Sequence, residues 1–484
     1  MITNVSDIIN NIFEKIFENP EISFSHPNRT FQYAVRHGKM NEDYLALNED
    51  TLERKLKTGI AQAIVKEFPA CDPDVRVTVF YDDPHEKRVY NVKCSIAIYY
   101  SFAERADNIG STEIVLSEEE GKKLLKETLN MVKTEAGKYG YHAHYAVKAN
   151  ANPRILSVIA EYGLGADCVS GGEIQAALDA GFPACKIVYA GVGKADWEIN
   201  LGLDNDIFCF NVESAAELEI LDELATAKNK VAPIALRINP EVDAHTHAKI
   251  TTGMKENKFG INLSQLGQVL DLVSHLEHIK LIGIHCHIGS QITDMAAFRG
   301  LVIRVNEIQE ELEARGIKVE NLNFGGGLGI DYYHPNHLPI PAFDNYFAVF
   351  NKLLQLRPGQ QVHFEPGRSI VAQCGSLISK VLYVKVGETK KFCILDAGFT
   401  ELIRPAMYDA YHRMENITSD EEVEVYDVVG PICESSDVFG KDVELNRAHR
   451  GDLIALRSAG AYGEVMASQY NCRKLPVAYY SDTL

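Results

Sequence analysis

A short apolar stretch, residues 145–150 (YAVKAN), brings one lysine to the end of a predicted buried strand. Burial disfavours a charged amine, so it lowers the pKa of a lysine and makes the amine a better nucleophile toward carbonyl groups. A solvated lysine just beyond a strand is the commoner arrangement. Lys148 becomes a candidate for Schiff-base chemistry because the chain also carries a glycine loop, a histidine pair and a carboxylate at the ends of other predicted strands.

Three consecutive glycines, Gly325, Gly326 and Gly327, follow the predicted strand Asn321–Phe324. Without side chains, such a loop lets backbone N–H groups approach an anion closely. The loops after strands seven and eight of a TIM barrel often bind phosphate. The sequence therefore predicts a phosphate site here, and a tight turn is the alternative.

Two further strand ends carry polar side chains. His285 and His287 are two residues apart and so share one face of the predicted sixth strand. His287 is nearer the C-terminal end, where it could stack on a planar cofactor, and Ser290 could reach a phosphate. His285 is predicted to be an interior histidine. Glu365 and Arg368 end the eighth strand, where a carboxylate can pair with a protonated pyridine nitrogen and a guanidinium can bind a carboxylate or phosphate. A Glu365–Arg368 salt bridge is the alternative.

A metal-dependent hydrolase is a rival interpretation of the histidines. His142 and His144 on the first strand and the second pair on the sixth resemble the paired ligands of metal-binding barrels. The first pair, however, lies at the start of its strand, away from the expected site. The eighth strand also ends without an aspartate ligand, so the sequence favours a cofactor over a metal.

The positioning elements follow a strand–helix rhythm over residues 142–368. Apolar strands are predicted to begin near His144, Ala166, Ile187, Ile207, Ile234, Leu281, Leu322 and Val362, and helical patterns separate them. Eight such units in this length predict an α/β fold, a TIM (β/α)8 barrel. A doubly wound sheet is the alternative, although it would more often have five or six strands.

The regions on either side of the barrel differ from it in residue composition and in predicted secondary structure. Residues 371–484 contain β-branched strands separated by glycine, proline and charged turns, which predicts a mostly antiparallel C-terminal β domain. Residues 1–120 combine a helical pattern near Leu52–Phe68 with β-rich stretches at Val75–Tyr81 and Val89–Phe102, which predicts an N-terminal α+β region of unknown role. The barrel is assigned to residues 121–370.

Composition restricts the partners and the compartment. The chain has 484 residues and a net charge of -19, which argues against nucleic acid and anionic membranes as partners. Ten cysteines are scattered without a CxxC pair, as is typical of reduced thiols. No secretory signal and no membrane span are predicted, and a cytoplasmic location is expected.

Together the motifs resemble the alanine-racemase-like, fold-type III decarboxylases that use pyridoxal 5'-phosphate. The resemblance covers residues 138–484 and is carried, in order, by YAVKAN, HCHIGSQ, GGGLG, EPGR, RPAMYDAYH, GPICESSD and AYGEVMASQYN. The family usually begins with a strand that joins the β domain, and its Thr-Pro-aromatic-Tyr-Asp pattern is absent. Thr112–Leu116 is the candidate replacement, without which the β domain would keep an unpaired edge.

The resemblance implies a role for each matching position. Lys148 would hold the cofactor covalently. His287 would lie on the cofactor ring face, Glu365 would pair with the pyridine nitrogen, and Tyr462 would also contact the cofactor. The phosphate would be bound by Ser290, Gly325, Gly326 and Gly327. The substrate would be bound by Arg368, Arg404, Tyr408, Tyr462 and Glu434. Cys433, the proton-handling residue, and Glu434 would come from the partner subunit of a homodimer with shared active sites.

The substrate implied by the resemblance is meso-2,6-diaminopimelate, converted to L-lysine and CO2 in the last step of lysine biosynthesis. Similar decarboxylases that act on ornithine carry Cys-Asp where this chain has Cys433-Glu434. Their substrate has no distal carboxylate for the enzyme to bind. Ornithine, arginine and carboxynorspermidine are the alternative substrates. A non-catalytic regulatory homologue that binds pyridoxal phosphate is the alternative outside the enzymes.

Overall fold

The computed structural model of the chain describes residues 120–242 and 258–480 continuously. Earlier in the chain it describes the strand segments 17–18, 21–25, 31–40, 71–81, 89–100 and 113–115 and the helical residues Leu56 and Ile60. The chain divides into two compact units, Met1–Gly110 and Ser111–Leu484. Among the described residues, no helix is both long and apolar enough to cross a membrane.

The first unit contains an antiparallel sheet of five described strands. They are β1 (Phe17–Glu18), β2 (Glu21–Ser25), β3 (Phe31–Met40), β4 (Cys71–Tyr81) and β5 (Val89–Tyr100). The order is β1-β3-β5-β4, with β2 also paired to β3. The two β-rich stretches predicted here are confirmed as β4 and β5, whereas β1 to β3 were not predicted. Of the predicted Leu52–Phe68 helix, only Leu56 and Ile60 are described, both helical; the remainder lies outside the described residues.

In the second unit, β6 (Glu113–Val115) and α1 (Glu120–Gly137) precede a parallel barrel. Its strands are β7 (His142–Ala146), β8 (Gly165–Cys168), β9 (Ile187–Tyr189), β10 (Cys209–Val212), β11 (Ala232–Asn239) with the short β12 (Ile261–Asn262) beside it, β13 (Ile279–His285), β14 (Asn321–Asn323) and β15 (Gln361–Phe364). Pairing of β10 with β11 closes the ring of eight described strands. The predicted TIM barrel is confirmed, and the open doubly wound sheet is wrong.

Helices between the strands cover the outside of the barrel. They are α2 (Pro153–Glu161), α3 (Gly171–Asp179), α4 (Asp196–Asp204), α5 (Ala215–Ala227), α6 (Leu263–Val273), α7 (Met295–Ala314) and α8 (Phe343–Leu353). The side chains of Ser170 and Ser214 cap α3 and α5 by accepting a backbone N–H of the first turn. Helix α4 lies between two predicted strands, as the strand–helix rhythm requires, and has Gly202 in its interior. That glycine is required by packing, since a Cβ there would lie 2.8 Å from Phe210.

An aromatic cluster under α8 fixes the end of the eighth strand. The Phe364 ring centroid lies 4.7 Å from that of Phe350, 5.0 Å from that of Phe347 and 5.5 Å from that of Tyr346. All four rings are fully buried, and each such side chain stabilises the fold by roughly 1.5–3 kcal/mol. Phe364 thereby anchors the backbone that presents Glu365.

The C-terminal segment forms a second, mostly antiparallel sheet. Its elements are α9 (Arg368–Val371), β16 (Ser376–Val386), β17 (Lys391–Leu395), α10 (Arg404–Tyr408), β18 (Met414–Asn416), β19 (Val423–Val429), β20 (Val438–Asn446), β21 (Leu453–Leu456) and β22 (Val477–Tyr479). The strand order is β18-β21-β16-β17-β19-β20. The predicted β domain is confirmed, and residues 404–408 within it form the short helix α10.

Strand β6 joins this second sheet although it precedes the barrel in the chain. It pairs antiparallel with β16, Ile114 opposite Leu377, and parallel with β22, Ile114 opposite Ala478. Glu113–Val115, the described part of the candidate segment, therefore supplies the strand whose usual sequence pattern is missing. Pairing on both sides protects an edge that would otherwise expose unpaired backbone groups.

Candidate active site

Lys148 lies in a tight turn at the C-terminal end of the first barrel strand. Strand β7 ends at Ala146, and residues 147–149 form a single 3-10 turn that carries the lysine. The Tyr145 hydroxyl donates to the carbonyl oxygen of Asn150 at 2.9 Å, and the Asn150 side chain donates to the carbonyl oxygen of Gly460 at 3.0 Å. The turn is therefore held by both the barrel and the C-terminal segment.

The predicted lowering of the Lys148 pKa is wrong. Burial favours the neutral amine, but Asp167 and the more distant Glu365 outweigh it and raise the pKa above its ordinary value. The Lys148 Nζ lies 3.6 Å from Oδ2 of Asp167. Burial and the neighbouring Glu365 carboxylate raise the pKa of Asp167, whereas the ammonium group of Lys148 favours its ionised form. The ammonium form of Lys148 is thus stabilised by carboxylates that come from other strands.

Glu365 lies at the centre of a buried hydrogen-bond network. Its Oε1 accepts from the side-chain amides of Asn323 at 2.7 Å and Asn211 at 3.2 Å, and its Oε2 lies 3.0 Å from Nε2 of His285. Burial opposes the carboxylate, but His285 and Lys148 lower the pKa of Glu365 below its ordinary value. Glu365 is therefore ionised, as pairing with a protonated pyridine nitrogen requires.

His285 has a larger role than sequence reasoning assigned to it. It was predicted to be a satisfied interior histidine, yet its Nε2 binds Glu365 and its buried Nδ1 has no hydrogen-bond partner in the described structure. It also lines the same cavity as His287. Asp167, Asn211 and Asn323 were missed as well, since the sequence does not show that these strand residues meet Lys148 and Glu365.

The glycine loop leaves no room for side chains. A Cβ at Gly325 would lie 2.7 Å from Nδ1 of His287, and one at Gly326 would lie 2.3 Å from the carbonyl oxygen of Glu365. The Gly326 N–H donates to Nδ1 of His287 at 3.2 Å. Burial lowers the pKa of His287, so this nitrogen is an acceptor and the ring is neutral. The loop packs directly beneath the histidine and the carboxylate.

Two guanidinium groups face the cavity without a carboxylate partner. Arg368 is 7% exposed and Arg404 is 5% exposed, and neither forms an ion pair within 4.0 Å among the described residues. Nη1 of Arg368 donates to the Tyr332 hydroxyl at 2.7 Å and Nη2 donates to Ser290 Oγ at 2.9 Å. The Glu365–Arg368 salt bridge considered as an alternative is absent from the described structure. Two buried cations without a counter-ion form an anion site.

Tyr462 reaches the site through a strained backbone conformation. Its φ of 58° lies in the left-handed region, which is uncommon for residues other than glycine. Its backbone N–H donates to the carbonyl oxygen of Ala149 at 2.8 Å, which ties the C-terminal segment to the lysine turn. The Arg368 guanidinium lies 4.8 Å from the centre of the Tyr462 ring.

Eight of the predicted residues line one cavity of about 920 Å³, and the three loop glycines, Cys433 and Glu434 do not. Its lining includes Lys148, His287, Ser290, Glu365, Arg368, Arg404, Tyr408 and Tyr462, together with Asp167, Arg237, His285 and Tyr332, which were not predicted. The glycine loop lies behind His287. Cys433 and Glu434 do not line this cavity, and their side chains are exposed on the C-terminal sheet domain.

The first histidine pair lies at the opposite end of the barrel. His144 Nδ1 is 2.9 Å from the carbonyl oxygen of Lys186, and its Nε2 is 2.9 Å from Nδ1 of His363. The His142 ring stacks on His363 at a centroid distance of 5.0 Å. These rings are engaged with one another and do not converge with His285 and His287, as the metal-dependent hydrolase would require.

The donor set of the cavity fits pyridoxal phosphate. One cavity contains three groups that this cofactor needs. They are the amine of Lys148 for the carbonyl carbon, the ionised carboxylate of Glu365 for the ring nitrogen and the neutral imidazole of His287 for the ring face. Asp167 Oδ1 and Arg368 Nε are buried and have no hydrogen-bond partner in the described structure. Buried polar atoms without partners are expected where a polar cofactor and an anionic substrate bind. The adjacent glycine loop, which has no room for a Cβ, is consistent with such a site.

A family match agrees with this geometry. The family described as pyridoxal-dependent decarboxylase, pyridoxal binding domain, matches residues 123–372. The chain therefore belongs to the pyridoxal-dependent decarboxylases. This range includes all eight barrel strands and the segment that carries Lys148, His287 and Glu365.

Individual relatives define the branch of the family. The chain is 66% identical over 363 residues to the diaminopimelate decarboxylase of Bacteroides thetaiotaomicron, covering 75% of this chain and 94% of the relative. It is 44% identical over 330 residues to the diaminopimelate decarboxylase of Aquifex aeolicus, covering 68% and 78%. The crystal structure of the Helicobacter pylori diaminopimelate decarboxylase complexed with L-lysine matches with a TM-score of 0.73 and 37% identity, covering 78% of this chain and 94% of that one.

Proposed function

We propose that this protein is an enzyme that decarboxylates meso-2,6-diaminopimelate to L-lysine and CO2 with pyridoxal 5'-phosphate, the last step of lysine biosynthesis. The observation that carries the substrate is the pair of buried guanidinium groups of Arg368 and Arg404, which have no carboxylate partner among the described residues. A substrate that loses one carboxylate and keeps another needs such an anion site. Ornithine and arginine have no second carboxylate to place there.

Lys148 and Glu365 are the residues proposed to hold the cofactor at its two reactive ends. Lys148 would bind it covalently between turnovers and release it to the amine of the substrate, and the neighbouring Asp167 would take up or return a proton at Nζ. Glu365, ionised in its network of Asn211, Asn323 and His285, would pair with the ring nitrogen. The cofactor supplies the electron sink for the pair of electrons left when CO2 departs.

The remaining contacts orient the substrate and the cofactor. His287 would lie on the ring face, and Ser290 with Gly325, Gly326 and Gly327 would bind the phosphate. Arg368, Arg404 and Tyr408 would hold the retained carboxylate, and Tyr462 would contact both cofactor and substrate. Burial of both guanidinium groups strengthens their attraction for a carboxylate, because little water competes for it.

We further propose a homodimer whose active sites are shared. Cys433 and Glu434 are exposed and do not line the cavity of their own chain, which supports their delivery to the site of a second copy. In that site Cys433 would return a proton to the carbon that has lost CO2, and Glu434 would contact the distal end of the substrate. Asp437 holds this loop, since its carboxylate accepts the backbone N–H groups of Ile432 at 2.8 Å and Phe399 at 2.7 Å.

We also propose a cytoplasmic location and a division into residues 1–120, 121–370 and 371–484. Free cysteines support the location, since the eight cysteines between residues 120 and 480 are free thiols. The change from barrel to sheet near Arg368 supports the second border. Strand β6, although it lies before residue 120, contributes to the C-terminal sheet.

The test is release of CO2 from meso-diaminopimelate by the purified full-length chain with pyridoxal phosphate, with ornithine and arginine as parallel substrates. Release from diaminopimelate alone is expected. If CO2 were released preferentially from ornithine or arginine, the assigned substrate would be wrong, but the assigned reaction, decarboxylation, would still hold. Binding of the cofactor without release from any of these substrates, or from carboxynorspermidine, would favour the non-catalytic homologue.

A further inference from the structure

We propose that His412 is a positioning residue for Arg404, because its imidazole binds the guanidinium and orients it toward the retained carboxylate of the substrate. This inference rests on the proposed function and adds to it a residue that touches neither substrate nor cofactor. His412 does not line the active-site cavity, whereas Arg404 does.

The two neighbours of His412 determine where its proton lies. Nε2 of His412 is 2.7 Å from Nη1 of Arg404, and Nδ1 is 2.8 Å from the carbonyl oxygen of Arg457. A guanidinium can only donate and a carbonyl oxygen can only accept. His412 must therefore donate from Nδ1 and accept at Nε2, which is the neutral form with a single tautomer. Burial, reinforced by the charge of Arg404, lowers the pKa of His412 to about 3, which is consistent with that state.

The backbone brings the histidine back against the arginine. Helix α10 ends at Tyr408 and is followed by Asp409, whose φ of 51° is left-handed, so the chain reverses direction immediately after the helix. Strand β18 starts two residues beyond His412 and pairs with β21, Met414 opposite Leu456. Arg457, the residue after β21, supplies the carbonyl oxygen and also donates its N–H to the carbonyl oxygen of Arg413 at 2.8 Å. The C-terminal sheet therefore holds the imidazole rigidly.

Tyr332 restrains the same guanidinium from a second side. The Arg404 guanidinium carbon lies 4.8 Å from the centre of the Tyr332 ring, and the His412 ring meets that ring edge-on at 5.1 Å. Among the described residues, Nη1 is the only nitrogen of Arg404 with a hydrogen-bond acceptor. Nε and Nη2 remain for a carboxylate, and they lie in a fixed plane that allows two parallel hydrogen bonds.

The experiment compares holoenzymes of wild type, His412→Phe and His412→Gln. Phenylalanine keeps the ring volume and removes the acceptor, whereas glutamine can place an amide oxygen near the position of Nε2. Loss of a hydrogen bond to a charged group predicts that His412→Phe raises KM for diaminopimelate roughly tenfold to a hundredfold, with kcat nearly unchanged. His412→Gln should recover most of the affinity.

A pair of ligands separates positioning of Arg404 from a general structural role. L-Lysine retains the carboxylate, and 1,5-diaminopentane is the same molecule without it. His412→Phe should weaken calorimetric binding of L-lysine by the same factor as KM and leave binding of 1,5-diaminopentane unchanged. Equal weakening of both ligands, or no change in either, would overturn the inference.

Controls keep the outcome independent of folding and of the proposed reaction. The exposed His449 of the same sheet domain pairs with Glu421, and His449→Phe should change neither ligand. If His412→Phe does not fold, His412→Asn, whose shorter amide cannot reach Arg404, replaces it. If wild type releases no CO2 from diaminopimelate, the proposed function is wrong. The contrast between L-lysine and 1,5-diaminopentane would still decide the role of His412.

Discussion

Lys148, which faces the cavity, forms an ion pair with the buried Asp167 across two neighbouring barrel strands. Strands β7 and β8 pair in parallel with Ala146 opposite Asp167, so the carboxylate lies beside the turn that carries the lysine. The separation of Nζ and Oδ2 is 3.6 Å. This pairing reverses the expectation that burial alone would leave a neutral, nucleophilic amine.

We expect Asp167→Asn to make Lys148 react with pyridoxal phosphate at lower pH. Removing the carboxylate removes the main cause of the raised pKa of Lys148, and an adjacent opposite charge typically shifts a pKa by roughly 1–3 pH units. The measurement is the pH dependence of the visible absorbance formed when cofactor is added to the cofactor-free enzyme. A midpoint equal to that of wild type would show that Asp167 does not control the amine.

We expect Glu365→Gln to lower kcat by roughly 10²–10³-fold, the cost typical of losing one preorganised electrostatic contact. Glutamine keeps the shape and most hydrogen bonds of the network but has no charge for the ring nitrogen. Steady-state kinetics with diaminopimelate give the value. Glu388→Gln, at an exposed turn of the C-terminal sheet, is the matched control and should match wild type. A Glu365→Gln enzyme with normal kcat would refute the assigned role.

We expect Gly326→Ala to destabilise the protein by about 1–3 kcal/mol, as overpacking usually does. The added Cβ would lie 2.3 Å from the carbonyl oxygen of Glu365, whereas a Cβ at Gly137 would meet nothing within 4 Å. Urea unfolding of Gly326→Ala and the control Gly137→Ala measures the difference. Affinity for pyridoxal phosphate should fall only in the first variant. Equal stability of the two would mean that the glycine loop can move aside.

We expect two inactive variants to restore activity to each other. Lys148→Ala should lose the absorbance of the lysine-bound cofactor and its activity, and Cys433→Ala should lose activity alone. If each site takes its lysine from one chain and its cysteine from the other, an equal mixture after subunit exchange should regain about a quarter of wild-type activity. No recovery in a mixture that sedimentation shows to be dimeric would place Cys433 in the site of its own chain or outside catalysis.

We expect His412 to make stability fall as the pH falls. Its pKa is lowered from 6.5 to about 3 in the folded protein, so below pH 6.5 the unfolded state takes up a proton that the folded state does not. Between pH 7.5 and 5, wild type should lose about 2 kcal/mol more than His412→Gln. Urea unfolding at the two pH values measures this. An equal loss in both proteins would mean that His412 is protonated in the folded state.

Much of the fold and part of the site were predictable from local pattern. All eight barrel strands were expected close to where they lie, because an apolar run bounded by turn residues is a local signal. Lys148, Glu365 and the glycine loop stood out because strand ends in a barrel point to one face. Gly202 in helix α4 is the opposite case, since this glycine is explained only by the Phe210 ring against which it packs.

The polar residues that support the site were not predictable in this way. Nothing in the immediate neighbours of Asp167 or Tyr332 marks them. His285 lies in a recognised motif, but its contact with Glu365 depends on the eighth strand. His412 lies in a recognisable motif, but its contact with Arg404 depends on a left-handed residue and on the carbonyl oxygen of a strand more than forty residues later. Such contacts arise when the barrel closes and the second sheet folds.

The sequence by itself determined the barrel, the sheet domain and the candidate cofactor-binding residues, because periodicity and glycine placement act over a few residues. Only the tertiary structure decided the charge of Lys148, the tautomer of His412 and the use of Glu113–Val115 as the missing strand. The physical reason is that ionisation, proton position and edge pairing depend on groups brought from distant parts of the chain. Burial then makes those few contacts strong.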